Sequence, residues 1–182
     1  MSWIEEINYE HADDELKWIY RNAKNPDGSL DNVLTVHSLR KHTMVGHLSL
    51  YKSVLHHPKN VLPKWYLELL GVYVSHLNRC VYCFEHHSRG MKRLLNDANR
   101  SQEILEGIKN DSLEKCLEGK FLEGLLYAKK LTLTIHSMEE SDIKNLRDAG
   151  FSDGEILEIN QVVSYFNYAN RTVLGLGVQL EG

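Results

Sequence analysis

Cys80, Cys83 and His87 stand in C-x-x-C-x-x-x-H spacing within the segment HLNRCVYCFEHHSRGM. Steps of three and four residues bring side chains onto one side of an α-helix. Two thiols stacked there can interconvert with a disulfide, and an imidazole beside them can accept a proton from the nearer sulfur. Cys80 follows the break Asn78-Arg79, which puts it at the first turn of its helix. Exposed backbone N–H groups and the positive end of the helix dipole favour a thiolate at such a position. Cys83 lies one turn further in, with His87 four residues beyond on the same face. On this spacing His87 takes the Cys83 proton and Cys83 attacks a peroxide or a disulfide. Cys80 then resolves the sulfenic acid by closing a Cys80–Cys83 disulfide.

A carboxylate upstream completes the set. Glu68 sits in a segment that is otherwise apolar, with Trp65, Gly71 and Val72 as its turn neighbours. A carboxylate among apolar groups is held ionised only by a partner, which suits a proton relay to His87. Gly71 leaves room one turn away for a bridging water. By spacing alone His86 rivals His87.

The elements that must position these residues read as helices throughout. Asp13 to Ala23 carries Leu16, Ile19 and Tyr20 at helical spacing, and Asn25-Pro26-Asp27-Gly28 reads as a turn. Leu39 to Leu55 shows a stripe of Met44, Val45, Leu48, Tyr51, Val54 and Leu55, stopped by His56-His57-Pro58. Pro63 suits the first turn of a helix running to Leu77, apolar on nearly every side and therefore central to a core. Cys80 to Leu95 follows, then Ser101 to Ile108, and a long stripe from Leu113 to Ile135. Ser141 to Ala149 begins with a Ser-Asp cap signal and ends at Gly150. Ser152 and Glu155 form a capping box that opens the last helix. No stretch alternates with period two between hairpin turns, so the expected class is all-α, a single helical domain over residues 1–182.

Composition narrows the function classes. A 182-residue chain with 42% hydrophobic and 25% charged residues is expected to bury one sizeable core. A net charge of −4 gives no reason to invoke nucleic acid or an anionic membrane. No segment approaches the ~18 consecutive apolar residues of a membrane span. The opening MSWIEEINYEHADDELK is acidic where a secretory leader is basic and then apolar, so a cytoplasmic location is expected. Three cysteines are too few, and odd in number, for a secreted disulfide framework. Cys116, beside Leu117, reads as a small core residue, and His42 and His47 as surface or interface groups.

Glu68, Cys80, Cys83 and His87 together reproduce E-x11-C-x-x-C-x-x-x-H. The pattern resembles the alkyl hydroperoxidase D-like branch of the carboxymuconolactone decarboxylase superfamily. The flanking residues are similar to its peroxidase-related members: Leu62-Pro63, Val74-Ser75, Val81-Tyr82, His86, Phe166-Asn167 and Asn170-Arg171. The resemblance covers about residues 30–180. It implies an all-helical subunit that assembles into homo-oligomers, and a thiol-dependent reduction of hydroperoxides or disulfides without a bound cofactor or metal. It further implies a thiol- or lipoyl-type protein as reductant, Cys83 as the peroxidatic cysteine, Cys80 as its resolving partner and proton donor, and Glu68 with His87 as the proton relay. The founding peroxidase has a histidine between the cysteines, where this chain has Tyr82, which removes an imidazole base from that position.

Other readings make different demands. A structural zinc site needs four ligands, so His86, His87 or Glu68 would have to complete the single cysteine pair, giving a redox- or zinc-sensing protein without turnover. A c-type haem needs histidine directly after the second cysteine, where Phe84 stands. The lactone decarboxylases of the superfamily lack the cysteine pair. Asn167, Asn170 and Arg171 read as helix packing or subunit contact, and the apolar residues Val173, Leu174, Leu176, Val178 and Leu180 as an exposed partner surface.

Overall fold

The computed structural model describes residues 2–25 and 27–181, so Pro26 of the expected turn lies outside the described residues. The described residues are helices joined by short connections, with no strand among them. The chain divides into two compact units, one of residues up to Ser53 together with Arg171 onward, the other Val54–Asn170. No described helix is long and apolar enough to cross a membrane.

The first unit is built on α1 (Asp14–Ala23), α2 (Asn32–Thr35) and α3 (Lys41–Tyr51). Asp13 caps α1 by accepting from the Leu16 N–H at 2.8 Å. The expected stripe of Leu16, Ile19 and Tyr20 is buried against Ala12, Leu34 and Met44. The Tyr20 hydroxyl donates to the Ile7 carbonyl at 2.5 Å, so this aromatic keeps its polar tip satisfied. His47 is buried, contrary to the surface position expected from sequence, with its ring 5.1 Å from that of His37. At the end of the chain, Val173 and Val178 are also buried while Leu174 and Leu180 are exposed, so the expected apolar partner surface is broken up.

The single helix expected over Leu39–Leu55 is three pieces. A 3-10 turn (Ser38–Arg40) precedes α3, and a π-helical turn (Lys52–His56) follows it. Arg40, at φ −141° and ψ 72°, falls outside the helical region and separates the first two. The π turn carries the chain to His56, two residues before Pro58.

The second unit centres on α4 (Lys64–Leu77), in which every residue from Tyr66 to Ser75 is buried. α5 (Val81–Leu95) and α7 (Gly119–Leu133) pack against it, α6 (Ala98–Lys109) against α5, and α8 (Glu140–Asp148) against α7. α9 (Asp153–Leu176) closes the fold. The Glu158 carboxylate accepts the Val61 and Leu62 N–H groups at 2.8 and 3.0 Å, which fixes the entry to α4. The capping box at α9 is present as expected, with the Ser152 N–H donating to Glu155 and the Glu155 N–H to the Ser152 hydroxyl. The stripe expected as one helix over Leu113–Ile135 is a 3-10 turn (Leu113–Lys115) and then α7, because Gly119 at φ +58° turns the chain between them.

α4 ends in a Schellman motif. The Cys80 N–H donates to the Ser75 carbonyl at 2.8 Å and the Arg79 N–H to that of His76 at 2.9 Å. Arg79 takes the left-handed conformation at φ +58° that glycine ordinarily fills. The two hydrogen bonds hold it there, and the reversal delivers Cys80 to the N-cap of α5.

Candidate active site

The five residues from Ser75 to Arg79 connect a buried helix to the helix that carries the sulfurs. Cys80, at the N-cap of α5, and Cys83, in its first turn, are both free thiols, 1% and 4% exposed. Their Sγ atoms are 2.8 Å apart, so they are hydrogen-bond partners within reach of closing a bond of ~2.05 Å.

The two sulfurs hold protons unequally. The hydrogen bond from Cys83 is the largest influence on Cys80 and holds its thiol below the ordinary range, with a further contribution from the Cys83 backbone N–H and in opposition to burial. The same hydrogen bond pushes the Cys83 thiol far up, and burial and the charge on Cys80 push it further. When the pair gives up a proton, the charge is therefore favoured on Cys80 at the helix start, where the dipole supports it, and the remaining proton on Cys83. The spacing of the sequence suggests His87 as the group that takes the Cys83 proton; the sulfur hydrogen-bonded to Cys83 is Cys80.

Asn170, which the sequence assigns to helix packing or subunit contact, reaches the sulfur pair. It is fully buried on α9, and its side-chain hydrogen bond to Cys83 draws the Cys83 thiol down against the other influences. The Asn170 amide also donates to the Ser75 hydroxyl at 3.2 Å, and its carbonyl accepts from Asn78 at 3.0 Å. Asn78 reaches Asn167 as well, at 3.1 Å. A run of small polar residues at the end of α4 and along α9 thus meets the sulfurs. The sequence signal was present in Ser75, Asn78, Asn167 and Asn170, at positions that packing arguments alone assign to helix contact.

Glu68 is buried in α4, its side chain 4% exposed, and meets His87 directly: Nδ1 of the imidazole lies 2.7 Å from Oε2. Of the two imidazoles that compete by spacing from Cys83, His87 is the one in contact with Glu68. His86 instead stacks on Tyr82, with centroids 4.4 Å apart. A second imidazole lies on the far oxygen, with His56 Nε2 3.8 Å from Glu68 Oε1.

Two glycines make the room. A Cβ on Gly90 of α5 would sit 3.0 Å from the Glu68 carboxyl group, so the carboxylate fits because that position has no side chain. The space beside Gly71, expected to hold a bridging water, is filled by Phe166. Its ring would lie 2.1 Å from a Cβ there, and it meets the His87 ring edge to face at 4.5 Å. Among the described residues, no group of three or more His, Cys, Asp or Glu side chains is arranged to hold a metal ion.

No model of a known family matches the sequence, and no curated protein matches it. Solved structures do. The crystal structure of an alkylhydroperoxidase AhpD core, an uncharacterized peroxidase-related protein from Ralstonia eutropha JMP134, is similar with a TM-score of 0.86 at 18% identity, over 99% of this chain and 92% of that one. An uncharacterized peroxidase-related protein from Silicibacter sp. TM1040 is similar with a TM-score of 0.84 at 22% identity, over 100% and 92%. A cysteine-to-alanine variant of the debrominase Bmp8, in complex with 2,3,4-tribromopyrrole, gives 0.78 at 16% identity, over 100% and 95%. The chain therefore has the all-helical fold of the alkylhydroperoxidase D-like proteins.

Proposed function

We propose that this chain is a thiol-dependent oxidoreductase of the alkylhydroperoxidase D-like type, which reduces hydroperoxides through Cys83 and Cys80. The observation that carries the reading is the hydrogen-bonded sulfur pair at the start of α5, in a unit that also pairs a buried carboxylate with His87.

In this reading Cys83 is the nucleophile. A sulfur of higher pKa is the stronger nucleophile once its proton is removed, and the Cys80 thiolate is placed to remove it. Cys80 takes the Cys83 proton as the Cys83 sulfur attacks the distal peroxide oxygen. The O–O bond breaks, and the alkoxide leaves as an alcohol with that proton, handed on by Cys80. The Cys80 thiolate then attacks the sulfenic acid on Cys83, the S–S bond forms, and hydroxide departs as water with the proton that Cys80 gave up on ionising, returned through His87 and Glu68. One dithiol and one hydroperoxide give one disulfide, one alcohol and one water. Glu68 and His87 hold and return protons during these steps. An external dithiol of thiol- or lipoyl-type protein chemistry restores the pair by exchange. A homo-oligomeric assembly belongs to the same reading, and sedimentation velocity tests it.

The deciding experiment is a thiol titre with and without hydrogen peroxide, with mass analysis of the oxidised cysteines. Rapid loss of two thiols to an internal Cys80–Cys83 disulfide supports the reading. Oxidation confined to Cys116, or stoichiometric zinc in the purified protein, overturns it in favour of a sensing protein without turnover.

The likeness to a debrominase favours a second reading on the same dithiol. There the pair supplies two electrons to a carbon–bromine bond, giving bromide, a proton, the dehalogenated ring and the disulfide. Bromide release from 2,3,4-tribromopyrrole, measured beside hydroperoxide consumption, separates the two.

A further inference from the structure

Glu68 has two oxygens, and each faces a different imidazole: Oε2 meets His87 Nδ1 at 2.7 Å, and Oε1 faces His56 Nε2 at 3.8 Å. The three side chains grade outward, 4% exposed at Glu68, 17% at His87 and 33% at His56. We propose that His56 is a positioning residue for the dithiol chemistry, the outer imidazole that faces the buried Glu68 carboxylate and links it to solvent.

The inference rests on the reading of Glu68 and His87 as the relay that serves the sulfurs. A buried carboxylate loses solvation and must find donors for both oxygens. His87 serves one. His56 faces the other at 3.8 Å, beyond direct hydrogen-bond length, at the end of the π-helical turn Lys52–His56, a local widening of the helix of a kind frequent at functional sites. The spacing of 3.8 Å leaves the second contact looser than the first, as expected for a group that exchanges protons rather than one that locks a ring. Gly90 keeps the same carboxylate uncrowded.

The charges around His56 are consistent with this role. Burial is the largest influence and holds its imidazole below the ordinary range; Glu68 opposes that, while His87, Lys64 and Arg93 add to it. Burial thus disfavours the charged imidazole and the Glu68 carboxylate favours it, so the two groups influence each other's charge across the 3.8 Å gap. His56 lies outside the E-x11-C-x-x-C-x-x-x-H pattern, upstream of Glu68.

The test reads thiol ionisation without any peroxide. The pH profile of iodoacetamide alkylation is followed at Cys80 by peptide mass analysis in the full chain, for the parent, His56→Gln, His56→Asn and the neighbouring His57→Gln. Without the outer imidazole the carboxylate loses the group that faces its Oε1, the Glu68–His87 pair is held less firmly, and thiolate formation needs higher pH. The expected result is a midpoint moved up by about 0.7 pH unit in both His56 variants, roughly a five-fold slower reaction at a fixed pH on the rising limb. The His57→Gln profile superimposes on the parent. A midpoint at the parental pH in a His56 variant that retains the parental thermal unfolding profile overturns the proposal. So does an equal displacement in His57→Gln. Failure of the parent to lose thiols to hydrogen peroxide sinks the peroxidase reading, while the alkylation profile still decides the role of His56.

Discussion

Phe166 occupies the space that Gly71 vacates, and the same ring supports the edge of His87. A Cβ at Gly71 would meet that ring at 2.1 Å, so α4 and α9 approach here only because one position has no side chain. Gly71→Ala forces Phe166 or the helix backbone to move. Overpacking of a tight core costs about 3 kcal/mol, and the displacement reaches His87 through Phe166. Urea unfolding should show the loss in stability, and peroxide-driven thiol loss should slow in the protein that remains folded. Unchanged stability would mean that the ring has room to swing aside.

The two cysteines are expected to fail differently when each is replaced by serine. Cys83→Ser should abolish turnover, because it removes the attacking sulfur. Cys80→Ser should react once and stop, leaving a sulfenic acid or mixed disulfide at Cys83 that dimedone trapping and mass analysis detect. A sulfenic acid at Cys80 in the Cys83→Ser protein would exchange the two roles. If both variants reduce hydroperoxide at the parental rate, the dithiol is not the reaction centre.

Glu68→Gln preserves shape and removes charge. The expected outcome is a fall of about 100-fold in peroxide-dependent oxidation, the scale of a lost proton-transfer group. His87→Gln should fall by a similar factor, and the double variant by little more than either, as the proposed relay requires of two groups acting as one unit. Losses that multiply in the double variant would show two independent contributions.

Asn170→Ala tests the polar run along α9. It removes the donor to Cys83 and leaves the Ser75 hydroxyl and the Asn78 amide each without one partner, a cost of about 2 kcal/mol in a buried setting. The rate of disulfide closure should fall about 10-fold as well, because charge on Cys83 loses its amide. Stopped-flow oxidation separates this from the stability effect. An unchanged rate in a destabilised protein would make Asn170 purely structural.

The N-terminal unit carries an acid-sensitive element of its own. Burial holds the His47 imidazole down at about 4, with the neighbouring His37 adding to the shift, and His37 is itself lowered by burial. A base whose folded pKa is depressed stays neutral while the unfolded chain takes a proton near 6.5. Stability is therefore full above pH 6.5 and falls as pH drops towards 4, by about 1.4 kcal/mol per pH unit from this one group, or roughly 3 kcal/mol in all. Urea unfolding of the parent and His47→Gln across pH 7 to 4.5 should show a shallower decline in the variant. Parallel curves would remove His47 from the account.

Helices and the sulfur pair were legible because both depend on local spacing. Leu16, Ile19 and Tyr20 repeat at helical intervals, and Cys80, Cys83 and His87 share a face by arithmetic alone. Glu68 could be suspected because a lone carboxylate stands in an apolar stretch. The partition of protons between the sulfurs could not be read, since it follows from a hydrogen bond and from burial that only the folded chain creates. The roles of His56 and Gly90, and the link from Asn170 to Cys83, escaped for a related reason. Each lies many residues from its partner, and periodicity carries no information about which distant elements meet. The break at Gly119 was missed because the apolar stripe continues across it, while the left-handed backbone there is local and needs no change in hydrophobicity.

Concealment of the sulfurs has an outcome for the slower half of any catalytic cycle. A small oxidant can diffuse to a covered thiolate, whereas a protein disulfide partner must align its own sulfur with the bond it attacks. In the proposed mechanism, regeneration by a folded donor would require the buried pair at the start of α5 to become exposed, whereas oxidation by a small peroxide would not.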